Sequence, residues 1–196
     1  MMLIRRAFTG LCAVVGLAGC AFVSQNVHLA PRPQLTSLDS GHGAQVVVRV
    51  VDARPSTRIG YRGMDSKLGD IMTEEDVPGV VQKAIMDGLK AKGFSPSVFD
   101  GQPSGRILRV ELRALQYTTE VNFMKGTIQT KTELQAYFRN GETLYSRLYR
   151  GEVNQAAVEA PGAKKNEALI NKSLTGALEQ LLEDKGLVQV MSMAAE

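Results

Sequence analysis

Thiols, imidazoles and close carboxylate pairs are the groups from which most catalytic and metal sites are built. This chain of 196 residues is poor in the first two, with two cysteines, Cys12 and Cys20, and two histidines, His28 and His42. Neither histidine has a neighbour at metal-ligand spacing, and both read as solvent-exposed. Asp52 and Arg54 could act as a binding pair, although a turn-forming Asp with a surface ion pair is the reading taken. Glu74, Glu75 and Asp76 could hold a cation, but acids are favoured at a helix start for electrostatic reasons alone. Gly60-Tyr61-Arg62-Gly63 lacks the Lys-Ser/Thr of a phosphate loop. What is left is a set of arginines and tyrosines in strand-like sequence. Arg106, Arg109 and Arg113 fall on one strand, Arg147 and Arg150 on another, with Tyr117, Tyr137, Tyr145 and Tyr149 among them. Arg109, Arg113, Tyr117, Tyr145, Arg147 and Tyr149 form the candidate partner-binding face, since Arg and Tyr are enriched where proteins meet. Glu111 and Glu133 would neutralise part of it, and a merely solvated face is the alternative.

Cys20 stands apart because of what precedes it. Arg5 and Arg6 form a short positive region, Ala7 to Leu17 is an apolar run diluted by Thr9, Gly10 and Gly16, and Leu17-Ala18-Gly19-Cys20 closes it. Charge, short apolar core and small-residue site, in that order, make a secretory signal. As a helix the run rises only about 16 Å, roughly half the hydrocarbon core, so it does not span a bilayer. Leu17, Ala18, Gly19 and Cys20 resemble the lipobox read by the lipoprotein signal peptidase. The resemblance implies cleavage before Cys20 and acylation of its thiol; an ordinary cleaved signal ending in Cys is the alternative. Arg5-Arg6-Ala7-Phe8 is similar to a twin-arginine signal, but its flanks do not match, and the general export route is expected. The next residue is Ala21. In the Gram-negative sorting rule an Asp there retains a lipoprotein in the inner membrane, so Ala21 implies the outer membrane, on its periplasmic face.

Cleavage would change the composition that matters. Losing Arg5 and Arg6 takes the formal net charge from +3 to +1, which removes the basic balance as an argument for nucleic acid. Cys12 leaves with the signal and Cys20 is used for lipid. The mature chain then has no disulfide, no thiolate nucleophile and no Cys metal site, and no cofactor or metal is expected. Its length suffices for one domain with a core, and it holds no second apolar stretch as long as a membrane span.

Residues 20–43 read as a lipidated N-terminus and flexible tether. Pro31, Pro33, Gly41 and Gly43 alternate there with small polar residues and no sustained period. Fully stretched, such a tether reaches about 80 Å, and the domain at 44–196 could stand clear of the lipid. Alternatively, Val27, Leu29 and Leu35 lie along the domain.

Within the domain, Gln45 to Val51 is a β-branched run that reads as a buried strand. Thr73 caps a helix whose stripe is Val77, Val81, Ile85 and Leu89, and Gly93 ends it. Phe94 to Phe99 is a short strand. Leu108, Val110 and Leu112 alternate with Arg109, Glu111 and Arg113; Ile128 to Phe138 alternates likewise. Asn140-Gly141 turns the chain into a strand from Thr143 to Gly151. A second helix runs from about Lys164 to Lys185, with Ile170, Leu174, Ala177, Leu178 and Leu181 as its stripe and Gly186 as its end. The expected class is α+β: a mostly antiparallel sheet of about five strands with two amphipathic helices on one face.

Signal and lipobox, then Val50-Val51-Asp52-Ala53-Arg54, Lys92-Gly93-Phe94 and Leu112-Arg113-Ala114-Leu115-Gln116-Tyr117, resemble the YajG-type outer-membrane lipoproteins. Glu133 to Ala136, Tyr145 to Tyr149 and Asn166 to Leu182 fit as well. The resemblance implies an uncharacterised envelope lipoprotein, with no known enzyme activity and no functional residues to carry over. The expectation is a non-enzymatic periplasmic interaction module, held on the membrane by lipid and meeting a periplasmic or outer-membrane protein. A lipid- or glycan-binding accessory factor with an apolar groove is the alternative, and an enzyme using carboxylates alone is a third class.

Overall fold

The computed structural model describes residues 24–36, 40–62, 69–102, 105–122, 125–158 and 161–194. The signal, the lipobox and the sorting position Ala21 lie outside them. In chain order the elements are β1 (Gln25–Asn26), β2 (Gln45–Asp52), β3 (Gly60–Arg62), β4 (Gly69–Met72), α1 (Val77–Ala91), β5 (Ser95–Val98), β6 (Arg106–Asn122), β7 (Lys125–Asn140), β8 (Thr143–Ala157), α2 (Ala163–Leu182) and α3 (Lys185–Ser192).

The α+β class stands, but the sheet has eight strands and is mixed. Strand β2 pairs in parallel with both β5 and β6, because the chain between β2 and β5 crosses over through α1. The antiparallel part is the long meander β6–β7–β8, closed at Asn140↔Thr143 with Gly141 at φ 57°. A bulge at Arg113 shifts the β6 register between Leu112 and Ala114, so inward positions change from even to odd numbers along that strand. Strand β1 comes from the segment expected to be tether, and β3 and β4 from the stretch between the first strand and the first helix, for which no element was expected. Two corrections concern helices. Asp76 rather than Thr73 precedes α1, with Pro78 in its first turn. The second expected helix is interrupted at Asp184, whose carboxylate accepts from the Gly186 and Leu187 amides and starts α3. Gly186 therefore lies inside a helix instead of ending one.

One apolar cluster joins the layers. Val46, Val48, Leu108, Val110, Leu112, Leu134, Ala136 and Phe138 of the sheet are buried with Val81, Ile85 and Leu89 of α1 and with Ile170, Leu174, Ala177, Leu178 and Leu181 of α2. Both helical stripes are those the sequence spacing predicts. Helix α2 crosses β8 so closely that a Cβ on Gly151 would lie 1.7 Å from the Ser173 carbonyl oxygen, so only glycine fits there. A short polar layer sits under the same helix, where Thr130 donates to the Leu169 carbonyl and Thr132 bonds Ser173. Among the described residues no helix is long and apolar enough to cross a membrane.

Residues 24–36 correct the tether expectation. Their burial alternates strictly, with Gln25, Val27, Leu29, Pro31, Pro33 and Leu35 turned inward. On the other parity the backbone N–H groups of His28, Ala30, Arg32, Gln34 and Thr36 donate to Glu167, Asn171, Thr175, Glu179 and Glu183 at 2.8, 2.7, 3.1, 2.8 and 3.0 Å. Two extended residues advance about 6.6 Å and four helical residues about 6 Å, so an extended strap and a period-four polar stripe stay in register. The prolines occupy the parity whose amides make no bond to α2. The segment is a strap running along α2 in the same direction as the helix.

Candidate functional site

The face of the sheet opposite the helices carries the candidate site. Strand alternation and register place Arg49 of β2, Arg109, Glu111 and Arg113 of β6, Glu133, Gln135, Tyr137 and Arg139 of β7, and Ser146 and Arg150 of β8 on it. Its charges form two forks. Glu111 pairs with Arg109 at 2.8 Å and Arg113 at 3.0 Å; Glu133 pairs with Lys131 at 2.9 Å and Arg150 at 3.0 Å. Arg113 also donates to the Tyr137 hydroxyl at 2.8 Å, and Arg109 lies over the Tyr137 ring with 5.9 Å to its centroid. Arg49 lies 5.2 Å from the Phe99 ring. Bonds from Lys131 and Arg150 outweigh the effect of partial burial and hold the Glu133 carboxyl below its ordinary range, so it stays an anion. Half-buried Val47, Val51, Ile107 and Leu148 lie between the charges. The result is a cation-rich face with apolar ground between fixed guanidinium groups.

The six residues proposed for that face divide between the two sides of the sheet. Arg109 and Arg113 are on it. Tyr117 is not: beyond the bulge it points under α2, is 3% exposed, and donates to Asn166 Oδ1 at 2.9 Å. Burial pushes its hydroxyl up to about 12. Tyr145, Arg147 and Tyr149 are also on the helix side, gathered round Asp184. Tyr145 and Tyr149 donate to Asp184 Oδ2 at 2.6 and 2.7 Å, and Arg147 reaches the same oxygen at 3.2 Å. Burial raises the Tyr149 hydroxyl far above its ordinary value, and the Asp184 carboxylate raises it further. Burial alone would raise Asp184; the two tyrosine bonds outweigh it and lower the carboxyl. Tyr145 and Tyr149 clamp the start of α3 onto β8, with Arg147 on the exposed rim of the cluster. Arg106 likewise faces the helices and donates to the Met191 carbonyl. Arg49, Glu111, Glu133, Gln135, Tyr137, Arg139, Ser146 and Arg150 share the face but are not in the candidate set; the alternation that pairs Tyr137 with Arg109 was legible, but the bulge that turns Tyr117 inward was not.

The other sequence candidates resolve simply. Asp52 takes two side-chain bonds from Arg54 at a strand end, the turn reading. Glu74 accepts from Asn26 and Glu75 from the Leu29 amide, so these acids hold the strap. Among the described residues no group of three His, Cys, Asp or Glu is placed to hold a metal ion.

A family model described as uncharacterised lipoprotein matches residues 31–192. No curated protein matches the sequence. Among solved structures the chain is similar to protein XCC0632 from Xanthomonas campestris, at 10% identity over 86% of this chain and 96% of that one, with a TM-score of 0.50. It is also similar to a neuraminyllactose-binding hemagglutinin homologue from Helicobacter pylori, at 12% identity over 85% and 96%, with a TM-score of 0.52. The rare lipoprotein B from Shewanella oneidensis aligns over 74% of this chain and 96% of its own, at 8% identity and a TM-score of 0.42. At these identities the likeness to the first two is one of fold alone. The model match covers most of the chain, with the end of the strap and both layers included, and the chain belongs to this family of uncharacterised lipoproteins.

Proposed function

We propose that the protein is a non-enzymatic interaction module of the cell envelope, cut before Cys20, acylated there, and sorted to the outer membrane through Ala21. Its partner is a periplasmic or outer-membrane protein with an acidic surface. The observation that carries this reading is the helix-free sheet face, where Arg49, Arg109, Arg113, Lys131, Arg139 and Arg150 outnumber Glu111, Glu120, Glu133 and Glu152 around Tyr137. Guanidinium groups already held by carboxylates and an aromatic ring lose little further freedom on binding, and Arg and Tyr are frequent hot-spot residues. Family membership supports the lipid anchor, and the sequence pattern supports a YajG-type lipoprotein. A second reading, a glycan-binding accessory factor, is favoured by a cleft of about 540 Å³ lined by Ser40, His42, Lys92, Glu183, Lys185 and Gln189, whose groups suit hydroxyls better than acyl chains.

Two measurements test the proposal. A palmitate analogue should label the wild-type chain and not Cys20→Ala. A photocrosslinking residue at Tyr137, on the face, should give one discrete protein adduct in cells, while one at exposed Lys83 on α1 should not. Label retained in Cys20→Ala would overturn the anchor, and equal adducts from both positions would overturn the face.

A further inference from the structure

The strap changes what a lipid on Cys20 would do to the domain. A free tether of residues 20–43 would let the domain sit tens of ångströms from the bilayer in any orientation. The chain is instead fixed to the domain from Ser24 onward, first to the sheet by β1 pairing with β4 and then to α2 by the five amide bonds that begin at His28. The four steps from Cys20 to Ser24 span at most about 14 Å. That is about half the length of α2, which rises roughly 30 Å over its twenty residues. One end of the domain must therefore lie near the anchor and the other far from it.

The near end is identified by its bonds. Gln25 accepts from Asn166 Nδ2 at 2.7 Å, and the same nitrogen reaches the Pro161 carbonyl at 3.4 Å, so the start of the strap and the turn into α2 are one locus. Ser24 accepts from the Asp70 amide at 3.3 Å. Strand β8 ends beside it, and the next residue, Val158, is 89% exposed. Ala163, Lys164 and Lys165 at the opening of α2 are exposed too. Among the described residues neither lysine is in an ion pair, whereas three acids at this end are engaged, and Glu120 lies exposed on the open side of the sheet. Glu74 accepts from Asn26, Asp70 pairs with Arg58, and Glu167 accepts from the His28 amide. The far end holds α3 and the β7–β8 turn at Gly141 and Glu142, since β8 runs from Thr143 beyond the end of α2 back to Ala157 beside its start.

We propose that the end of the domain built from Ser24, the turn into α2 and the last residues of β8 is a lipid-facing surface, with Lys164 and Lys165 set against the phosphate headgroups of the bilayer that holds Cys20. This rests on the reading of Cys20 as lipidated. The short connection brings the surface to the headgroups, exposed cationic side chains meet anionic phosphate, and exposed Val158 sits beside them at the interface. The far end and the open sheet face are left free for a partner.

The test uses the full mature chain, purified from membranes and reconstituted in vesicles of phosphatidylethanolamine and phosphatidylglycerol. Single thiols at Val158→Cys and Glu142→Cys take a fluorophore, and a nitroxide-headgroup lipid quenches it. Incorporation of the palmitate analogue is read on the same samples. The expected result is at least twofold stronger quenching at position 158 than at 142, reduced toward the level of 142 by Lys164→Glu with Lys165→Glu. Acylated chains with equal quenching at both positions would overturn the lipid-facing surface while leaving the anchor intact, as would quenching unchanged by charge reversal. Chains with no label would overturn both.

Discussion

Glu183 and Asp184 are adjacent carboxylates with different work. Glu183 pairs with Lys92 Nζ at 2.9 Å, a cation whose side chain is wholly buried, and accepts from both the amide and the hydroxyl of Thr36. Burial alone would raise its carboxyl; the bonds from Lys92 and Thr36 prevail and bring it down to about 2, from an ordinary 4.5. A carboxyl lowered by folding stabilises the fold fully above its unfolded value and loses that contribution as pH falls toward its folded value. Stability measured by urea unfolding should therefore drop between about pH 4.5 and 2, and Glu183→Gln should flatten that limb. An unchanged limb in the variant would show that other carboxyls carry it. Asp184 holds two tyrosine hydroxyls and two helix-opening amides, so Asp184→Ala leaves buried donors unmatched and removes a helix cap. The expected loss is about 2–4 kcal/mol by denaturant titration, whereas Arg147→Ala, on the exposed rim of the cluster, should leave the unfolding midpoint where it is.

At the scale of elements, what was legible followed from local periodicity. The stripes of α1 and α2 and the alternation in β6 and β7 are each encoded within a few residues, and each is where the spacing puts it; the hairpin turn falls one residue beyond Asn140-Gly141, at Gly141 and Glu142. Strands β1, β3 and β4 have two to four residues, too few to show a period, and they exist because partners distant in sequence supply their bonds. The break between α2 and α3 depends on Tyr145 and Tyr149, more than thirty residues away. The strap was legible in half: Val27, Leu29 and Leu35 marked one parity, but the acceptors for its amides lie 139 to 147 residues on. Their signal is the polar stripe Glu167, Asn171, Thr175, Glu179 and Glu183 on the side of α2 away from the sheet. A docked strap should protect the amides of His28, Ala30, Arg32, Gln34 and Thr36 from hydrogen exchange, whereas exchange at free-chain rates would restore the tether. Leu178 is fully buried in the α2 stripe, and Leu178→Ala should cost about 2–5 kcal/mol in chemical unfolding.

For the whole molecule, the two sides of the sheet have separate duties. The helix side contains the apolar cluster, the strap and the Asp184 clamp, and without them the chain does not hold together. The open side carries its arginines on carboxylates and rings that lie at the surface, and none of the core depends on them. Of the residues picked from sequence, Arg109 and Arg113 belong to the open side, while Tyr117, Tyr145, Arg147 and Tyr149 lie on the helix side, because the bulge at Arg113 turns Tyr117 inward and the β7–β8 register sets Tyr145, Arg147 and Tyr149 opposite inward Phe138, Ala136 and Leu134. The measurement that tests this division most directly is the in-cell adduct from Tyr137 compared between the otherwise unaltered chain and Arg109→Glu with Arg150→Glu, each also unfolded in denaturant. The account predicts loss of most of the adduct at an unchanged unfolding midpoint; an undiminished adduct, or a fall in stability like that of Leu178→Ala, would contradict it.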